Sequence, residues 1–157
     1  MVNSFRFARL PEILFRNGSI TELPDVIGKF GGSFILVTGR SSFTESERGK
    51  KLLQLMEEKE TTMYHVSVPG EPSPAMIDKA VDDNRDNDIK LVVAIGGGSA
   101  LDAGKAISAM LTVTGSVRDY LEEIGHREHP GTKMSFIAIP TTSGTGSEAT
   151  KNAVISE

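Results

Sequence analysis

Three segments rich in glycine and hydroxyl residues carry the side chains that could hold an anionic ligand. The first is Gly96-Gly97-Gly98-Ser99-Ala100-Leu101-Asp102-Ala103-Gly104-Lys105. It follows the apolar run Leu91-Val92-Val93-Ala94-Ile95 and opens a helix-like run. Consecutive glycines let a backbone approach a ligand without Cβ interference. The free N–H groups at a helix N-terminus then favour a phosphate. The simpler alternative is a tight strand-to-helix turn with Ser99 and Asp102 as a capping box, but three glycines exceed what a turn needs. The second segment is Pro140-Thr141-Thr142-Ser143-Gly144-Thr145-Gly146-Ser147-Glu148-Ala149-Thr150. It is read as following another buried strand, and its hydroxyls and permissive backbone suit sugars and phosphates; alone it could be a flexible polar loop. The third is Val37-Thr38-Gly39-Arg40-Ser41-Ser42, again after an apolar run. In dinucleotide folds an acidic residue near such a strand end binds the ribose 2′-OH, and an Arg accommodates a 2′-phosphate. No acid stands here. Gly39 leaves space, Arg40 supplies a fork of donors, and Ser41 and Ser42 add hydroxyls, a set that favours NADP over NAD. The alternative is that Ser41 or Ser42 merely caps the next helix.

Several other chemistries fail on spacing. A P-loop needs four residues between its first Gly and Gly-Lys, whereas five separate Gly98 from Gly104, and Ala106 replaces the magnesium-binding hydroxyl. The GxGxxG fingerprint would need Gly where Leu101 stands, and it normally follows the first strand. No cysteine nucleophile and no Gly-x-Ser-x-Gly elbow exist. The three histidines are His65, His126 and His129. The His126-x-x-His129 spacing could chelate a metal only on a helix, and Pro130-Gly131 put it in or near a loop.

These segments must be positioned by alternating strands and helices. Phe5 to Leu10 and Glu12 to Arg16 read as two short strands, the second closed by an Asn17-Gly18 turn. Ser19 with Glu22 reads as a capping box before a short helix ending at Gly31-Gly32. Strands are predicted over Phe34 to Val37, Met63 to Val68, Leu91 to Ile95 and Met134 to Ile139, the last stopped by Pro140. Helices are predicted over Glu45 to Lys59, Ala75 to Asp83 and Leu101 to Leu111, with a weaker one over Val117 to Ile124. This pattern implies βαβ units and a Rossmann-like α/β fold, with a mostly parallel sheet, helices on both faces and a short β-hairpin in front. Such sheets bind ligands at the carboxyl ends of their strands, where all three segments fall.

Composition narrows the partners. With 157 residues the chain is long enough for one domain. Its 17 Lys and Arg against 21 Asp and Glu give a net charge of −4, and no Cys is present. No basic excess exists to neutralise phosphates of a nucleic acid, and no apolar run approaches the ~20 residues of a membrane span. The N-terminus lacks the apolar stretch of a signal peptide, so a cytoplasmic location is the expectation.

The first two segments together, in this order and at this separation, resemble the iron-containing (group III) alcohol dehydrogenase family, as do Phe34-Ile35-Leu36-Val37-Thr38 and the Pro69-Gly70-Glu71-Pro72-Ser73 loop. The resemblance covers essentially the whole chain. Dehydroquinate synthase and glycerol dehydrogenase, with the same sheet, are less similar in the Thr-Thr-Ser-Gly-Thr segment. The resemblance implies a nucleotide-binding N-terminal domain followed by a helical metal-binding domain, and interconversion of a small alcohol with its aldehyde or ketone. It implies that Gly96, Gly97, Gly98 and Ser99 bind the pyrophosphate and that Asp102 lies beside the nicotinamide. Thr141, Thr142 and Thr150 would line the adenine and ribose side. Many members have Asp where Gly39 stands; those with Gly followed by Ser favour NADP, in the same sense as Arg40 and Ser41. It also implies a homodimer formed through the N-terminal strands, Phe5 to Arg16. The family's divalent metal, iron or in some members zinc, is held by one Asp and three His farther along. The chain ends at Glu157 before any of them, and none of its histidines matches a ligand position. The expectation is therefore a cofactor-binding portion, inactive by itself, of a longer enzyme. The alternatives are a non-catalytic nucleotide-binding module and a lyase of the dehydroquinate synthase type.

Overall fold

Strands that are apolar at nearly every position need cover on both faces, and two such strands form the centre of the molecule. A computed structural model describes residues 11–59 and 61–156. Its sheet has four parallel strands in the order β2-β1-β3-β4: β1 (Ser33–Gly39), β2 (Thr62–Val68), β3 (Ile89–Gly96) and β4 (Ser135–Pro140). Central β1 and β3 are buried almost end to end. Because side chains alternate across a strand, each strand serves two cores. Phe34, Leu36, Leu91, Val93 and Ile95 pack against α1 (Leu23–Gly28) and α2 (Glu47–Glu57) through Leu23, Ile27, Leu52 and Met56. Ile35, Val37, Val92 and Ala94 pack on the other side against α3 (Pro74–Asp82) and α4 (Gly98–Met110) through Ile77, Val81, Leu101 and Ile107. The expected α/β architecture with helices on both faces is therefore present.

Four local readings are corrected. Glu12 to Arg16 forms no strand; residues 11–15 have no regular structure and no ladder partner among the described residues, which an isolated β segment requires. The other proposed hairpin strand, Phe5 to Leu10, lies outside the described residues. Ser19 is not a cap: it starts a short 3₁₀ turn, Ser19–Glu22, whose capping position is Gly18 with no side-chain bond. The weak helix at Val117 is a single 3₁₀ turn, Val117–Tyr120, held by Asp78, whose carboxylate accepts from Val117 N–H at 2.7 Å. Finally β4 is not a core strand. Among the described residues it pairs only with β3, and it is half-buried over residues 136–139, so its apolar sequence is covered less than that of β1 or β3.

Gly104 sets the distance between α4 and the sheet. A Cβ there would lie 2.7 Å from the Ala94 Cβ on β3 and 2.9 Å from the Phe136 ring on β4. At an open helix site, Gly→Ala raises stability by about 1 kcal/mol. Here overpacking, at about 1–3 kcal/mol, opposes that gain. Gly104→Ala is expected to lower the urea midpoint rather than raise it, with Gly104→Val lowering it further.

Candidate functional site

The sheet reverses its direction of growth between β1 and β3. From β1 the chain crosses to β2 on one side, and from β3 it crosses to β4 on the other. The carboxyl ends of β1 and β3 at such a reversal flank the usual ligand crevice of an open α/β sheet. The third and first segments begin there, and the second begins at the carboxyl end of β4, the neighbour of β3. A Cβ on Gly96 would lie 3.5 Å from Gly39 N, and one on Gly97 would lie 3.2 Å from the Thr142 hydroxyl. One on Gly98 would lie 3.4 Å from the Ser147 hydroxyl and 3.5 Å from the Thr145 methyl. Thr141 N–H donates to Gly96 O at 2.9 Å. The first and second segments thus form one structure, in which hydroxyls of the loop after β4 lean on the glycines after β3. Thr145 and Ser147 belong to it as much as Thr142; their place in the hydroxyl-rich segment was visible in the sequence, but their closeness to Gly98 was not.

The helix that opens here has no side-chain cap. Gly97 is the capping residue of α4, so Ser99 and Asp102 do not form the capping box. The first-turn N–H groups of a helix lack intrahelical partners, and a 13-residue helix starting on three glycines presents them at a surface a phosphate can reach.

Asp102 instead faces inward. Its side chain is only 8% exposed, and Lys105, whose side chain is 9% exposed, brings Nζ to 2.7 Å from Oδ1. The approach lies off the direction of a hydrogen bond, so Oδ1 is buried with a charge beside it and no donor. Asp102 Oδ2 accepts from Val154 N–H at 3.2 Å. The Lys105 ammonium also donates to the Thr150 hydroxyl at 3.0 Å and to the Asn152 carbonyl. Lys105 is the residue that the sequence reading passed over once the P-loop spacing failed. Its signal was the i, i+3 position relative to Asp102, which places both on one helix face. It engages Thr150, which is thereby grouped with Asp102 rather than with Thr141 and Thr142. A cleft of about 210 Å³ lies beside this pair, lined by Glu71, Pro72, Gly98, Ser99, Asp102 and Val154. Ser156 N–H donates to Pro72 O at 2.9 Å and closes its far side.

At the third segment the capping alternative is excluded. The cap of α2 is Ser46, whose hydroxyl accepts from Gly49 N–H at 2.9 Å, not Ser41 or Ser42. Gly39 ends β1 with a Cβ direction open to at least 4 Å, and Arg40 is exposed. Behind this turn, fully buried Thr38 holds its hydroxyl 2.8 Å from His65 Nε2. Partial burial pushes the His65 imidazole below its usual pKa, which keeps the ring neutral near pH 7.

The other histidines do not make a metal centre. His129 Nδ1 accepts from Gly131 N–H at 3.1 Å, and Nε2 lies 3.3 Å from Ala109 O, so both ring nitrogens are engaged by backbone. Its ring also packs edge-on against Tyr120. His126 lies in an irregular exposed stretch. Among the described residues no group of three His, Cys, Asp or Glu side chains is placed to hold a metal ion, and none of their helices is long and apolar enough to cross a membrane.

Removing one member of a buried ion pair strands the other charge and costs about 3–5 kcal/mol. Lys105→Met is expected to lower unfolding free energy in urea by that order. The double change Asp102→Asn with Lys105→Met should recover most of the loss.

Comparison with known proteins places this arrangement. The chain is 34% identical over 140 residues to long-chain-alcohol dehydrogenase 1 of Geobacillus thermodenitrificans, covering 88% of this chain and 35% of the relative. It is 32% identical over 155 residues to NADH-dependent butanol dehydrogenase A of Clostridium acetobutylicum, covering 98% of this chain and 39% of the relative. The chain thus spans well under half the length of these curated relatives. Among solved structures, sulfoacetaldehyde reductase from Bifidobacterium kashiwanohense in complex with NAD+ matches with a TM-score of 0.78 at 29% identity, over 94% of this chain and 38% of that one. The archaeal Red Sea brine pool alcohol dehydrogenase ADH/D1 bound to NZQ matches with a TM-score of 0.82 at 28% identity, over 99% and 41%. The family model for iron-containing alcohol dehydrogenase matches residues 11–157, and the chain belongs to that family.

Proposed function

We propose that this chain is the dinucleotide-binding part of an iron-type alcohol dehydrogenase that interconverts a small alcohol and its aldehyde or ketone, with NADP favoured over NAD. The observation that carries the reading is the uncapped glycine N-terminus of α4 beside a cleft that Gly98, Ser99 and Asp102 line. A nicotinamide dinucleotide fits this set. Gly96, Gly97, Gly98 and Ser99 would hold the pyrophosphate on N–H groups. The Asp102 carboxylate, in the wall of the cleft, would accept from the carboxamide. Thr141 and Thr142 would face the ribose and adenine, with Thr150 held by Lys105 on the Asp102 side. Gly39, Arg40, Ser41 and Ser42 would receive the adenosine ribose and its 2′-phosphate.

When bound, the nicotinamide supplies the acceptor or donor of the hydride. This chain's own residues bind and orient it: the α4 N-terminus fixes the phosphates, and Asp102, itself fixed by Lys105 and Val154, sets the rotation of the carboxamide. The metal is different. The described residues contain no ligand set for the family's divalent ion, so no polarising step on a substrate oxygen is assigned to this chain. The reading is therefore of a chain, residues 1–157, that binds dinucleotide without turning over alcohol, in a cytoplasmic protein whose remaining helical domain carries the metal. Dimerisation through the N-terminal segment belongs to the same reading, supported by Ile13, Leu14 and Phe15, which are 75%, 53% and 97% exposed.

NADP preference rests on residues 39–42 and stands against relatives named as NADH-dependent. It is tested by Gly39→Asp. The backbone there is not left-handed and the Cβ has space, so the change is free of strain. A carboxylate repels a 2′-phosphate and accepts from a 2′-OH. The NADP/NAD affinity ratio, measured by calorimetric titration, is expected to fall by about tenfold or more, the effect of ~1.4 kcal/mol; an unchanged ratio refutes the role of this segment. The phosphate role is tested separately by Gly97→Val. The new side chain crowds only exposed Thr142, so the urea midpoint should stay near that of the parent while affinity for both dinucleotides is lost.

A further inference from the structure

We infer that His65 and Ser67 on β2 are positioning residues that set the discrimination between NADP and NAD without touching either. The inference rests on the preceding reading that residues 39–42 receive the adenosine ribose. β2 is an edge strand paired to β1 in register, with His65 opposite Leu36 and Ser67 opposite Thr38. Residues two apart on a strand share a face, so both side chains project from the same side of the sheet. Both reach the end of β1. The Thr38 hydroxyl donates to Gly39 O at 3.0 Å and lies 2.8 Å from His65 Nε2. A hydroxyl has one proton to give. The two contacts therefore coexist only when Nε2–H of His65 donates to Thr38 and Thr38 donates onward to Gly39 O. Ser67 Oγ donates to Arg40 O at 3.4 Å. Two successive carbonyls of the turn are thus tied to β2, that of Arg40 directly by Ser67 and that of Gly39 through Thr38 of β1.

Holding those carbonyls fixes more than the carbonyls. A peptide unit is planar and trans, so the orientation of Gly39 O sets the direction of Arg40 N–H, and that of Arg40 O sets the direction of Ser41 N–H. These are the donors nearest the arginine and serine that distinguish a 2′-phosphate from a 2′-hydroxyl. Packing does not fix this turn unaided. A Cβ at Gly39 meets nothing within 4 Å, and Arg40 is exposed. The depressed pKa of His65 agrees with a neutral ring that keeps Nδ1 free of a proton while Nε2 donates.

The test titrates NADP and NAD into the chain and into His65→Ala, Thr38→Val and Ser67→Ala, with urea unfolding of each as a control. Thr38→Val keeps the buried volume and interrupts the relay without altering β2. Loss of one neutral hydrogen bond corresponds to about a two- to tenfold effect. The NADP/NAD affinity ratio is expected to fall by that factor in His65→Ala and in Thr38→Val, and by less in Ser67→Ala. His65→Gln, whose amide can donate from the Nε2 position, should restore the ratio to within about twofold of the parent. Parallel loss of both affinities, with the ratio unmoved, would show a merely structural role and overturn the inference. An unmoved ratio in His65→Ala and Thr38→Val alongside a shifted ratio in Gly39→Asp would overturn the inference and leave the ribose reading standing. An unmoved ratio in Gly39→Asp would remove that reading, and this inference with it.

Discussion

Everything at the candidate site depends on the parallel pairing of β1 with β3. Both strands are buried on two faces, and their register runs from Phe34 opposite Leu91 to Thr38 opposite Ile95. Chain connectivity makes this pair the place where the sheet changes its direction of growth. The chain leaves the two strands in opposite directions across the sheet, so the ends of both open to the same crevice. The ligand-type residues after β1 and after β3 are neighbours because apolar side chains beneath them demanded this pairing. A one-residue slip would exchange Phe34 and Leu36 with Ile35 and Val37 between the two cores, and would also separate Gly39 from Gly96.

The buried Asp102–Lys105 pair is the second constraint, and it works differently. Two charges removed from water rarely add much net stability, so the pair is better understood through geometry than energy. Lys105 fastens Thr150 and Asn152 to the middle of α4, and Asp102 fastens Val154. This segment then meets Pro72 through Ser156. The cleft has walls because the segment after the hydroxyl-rich loop is tied back across the helix. That arrangement fixes the Asp102 carboxylate, between Lys105 and Val154, in the wall of the cleft.

The central strands were legible in the sequence because runs of four and five consecutive apolar residues, Phe34 to Val37 and Leu91 to Ile95, have few other solutions. α3 was legible from the helical spacing of Met76, Ile77, Ala80 and Val81, whereas its cap, Ser73, which accepts from Met76 N–H at 3.3 Å, was read as loop. Ser19 with Glu22 was misread because it matches a local capping pattern, yet Gly18 takes the cap and the Glu22 carboxylate bonds elsewhere, to Arg16. Local patterns predict what a side chain could do with its own backbone, and a partner with more charge overrides them. β4 was overrated because apolar content reports what a strand can bury, whereas the extent of burial depends on what pairs with its other edge. Of the site, the three segments were legible by composition. The contacts of Gly97 with Thr142 and of Lys105 with Thr150 were not, because they join residues more than forty positions apart.

The glycines separate into two kinds once the space around each is known, and the division bears on function. Gly104 and Gly49 are demanded by the fold: a Cβ would meet Ala94 at 2.7 Å in the first case and the Phe43 carbonyl at 1.8 Å in the second. Gly39 is not demanded by anything in the chain. Its φ is ordinary, and nothing lies within 4 Å of where a Cβ would stand. A glycine there gives up conformational entropy on folding without relieving any clash. Gly97 is intermediate, pressed only by an exposed threonine that can turn aside. Glycines that packing does not require, at the carboxyl ends of two adjacent buried strands, are accounted for by the close approach of something outside the chain. That argument does not depend on any motif, and it leads to the same crevice that the motifs mark.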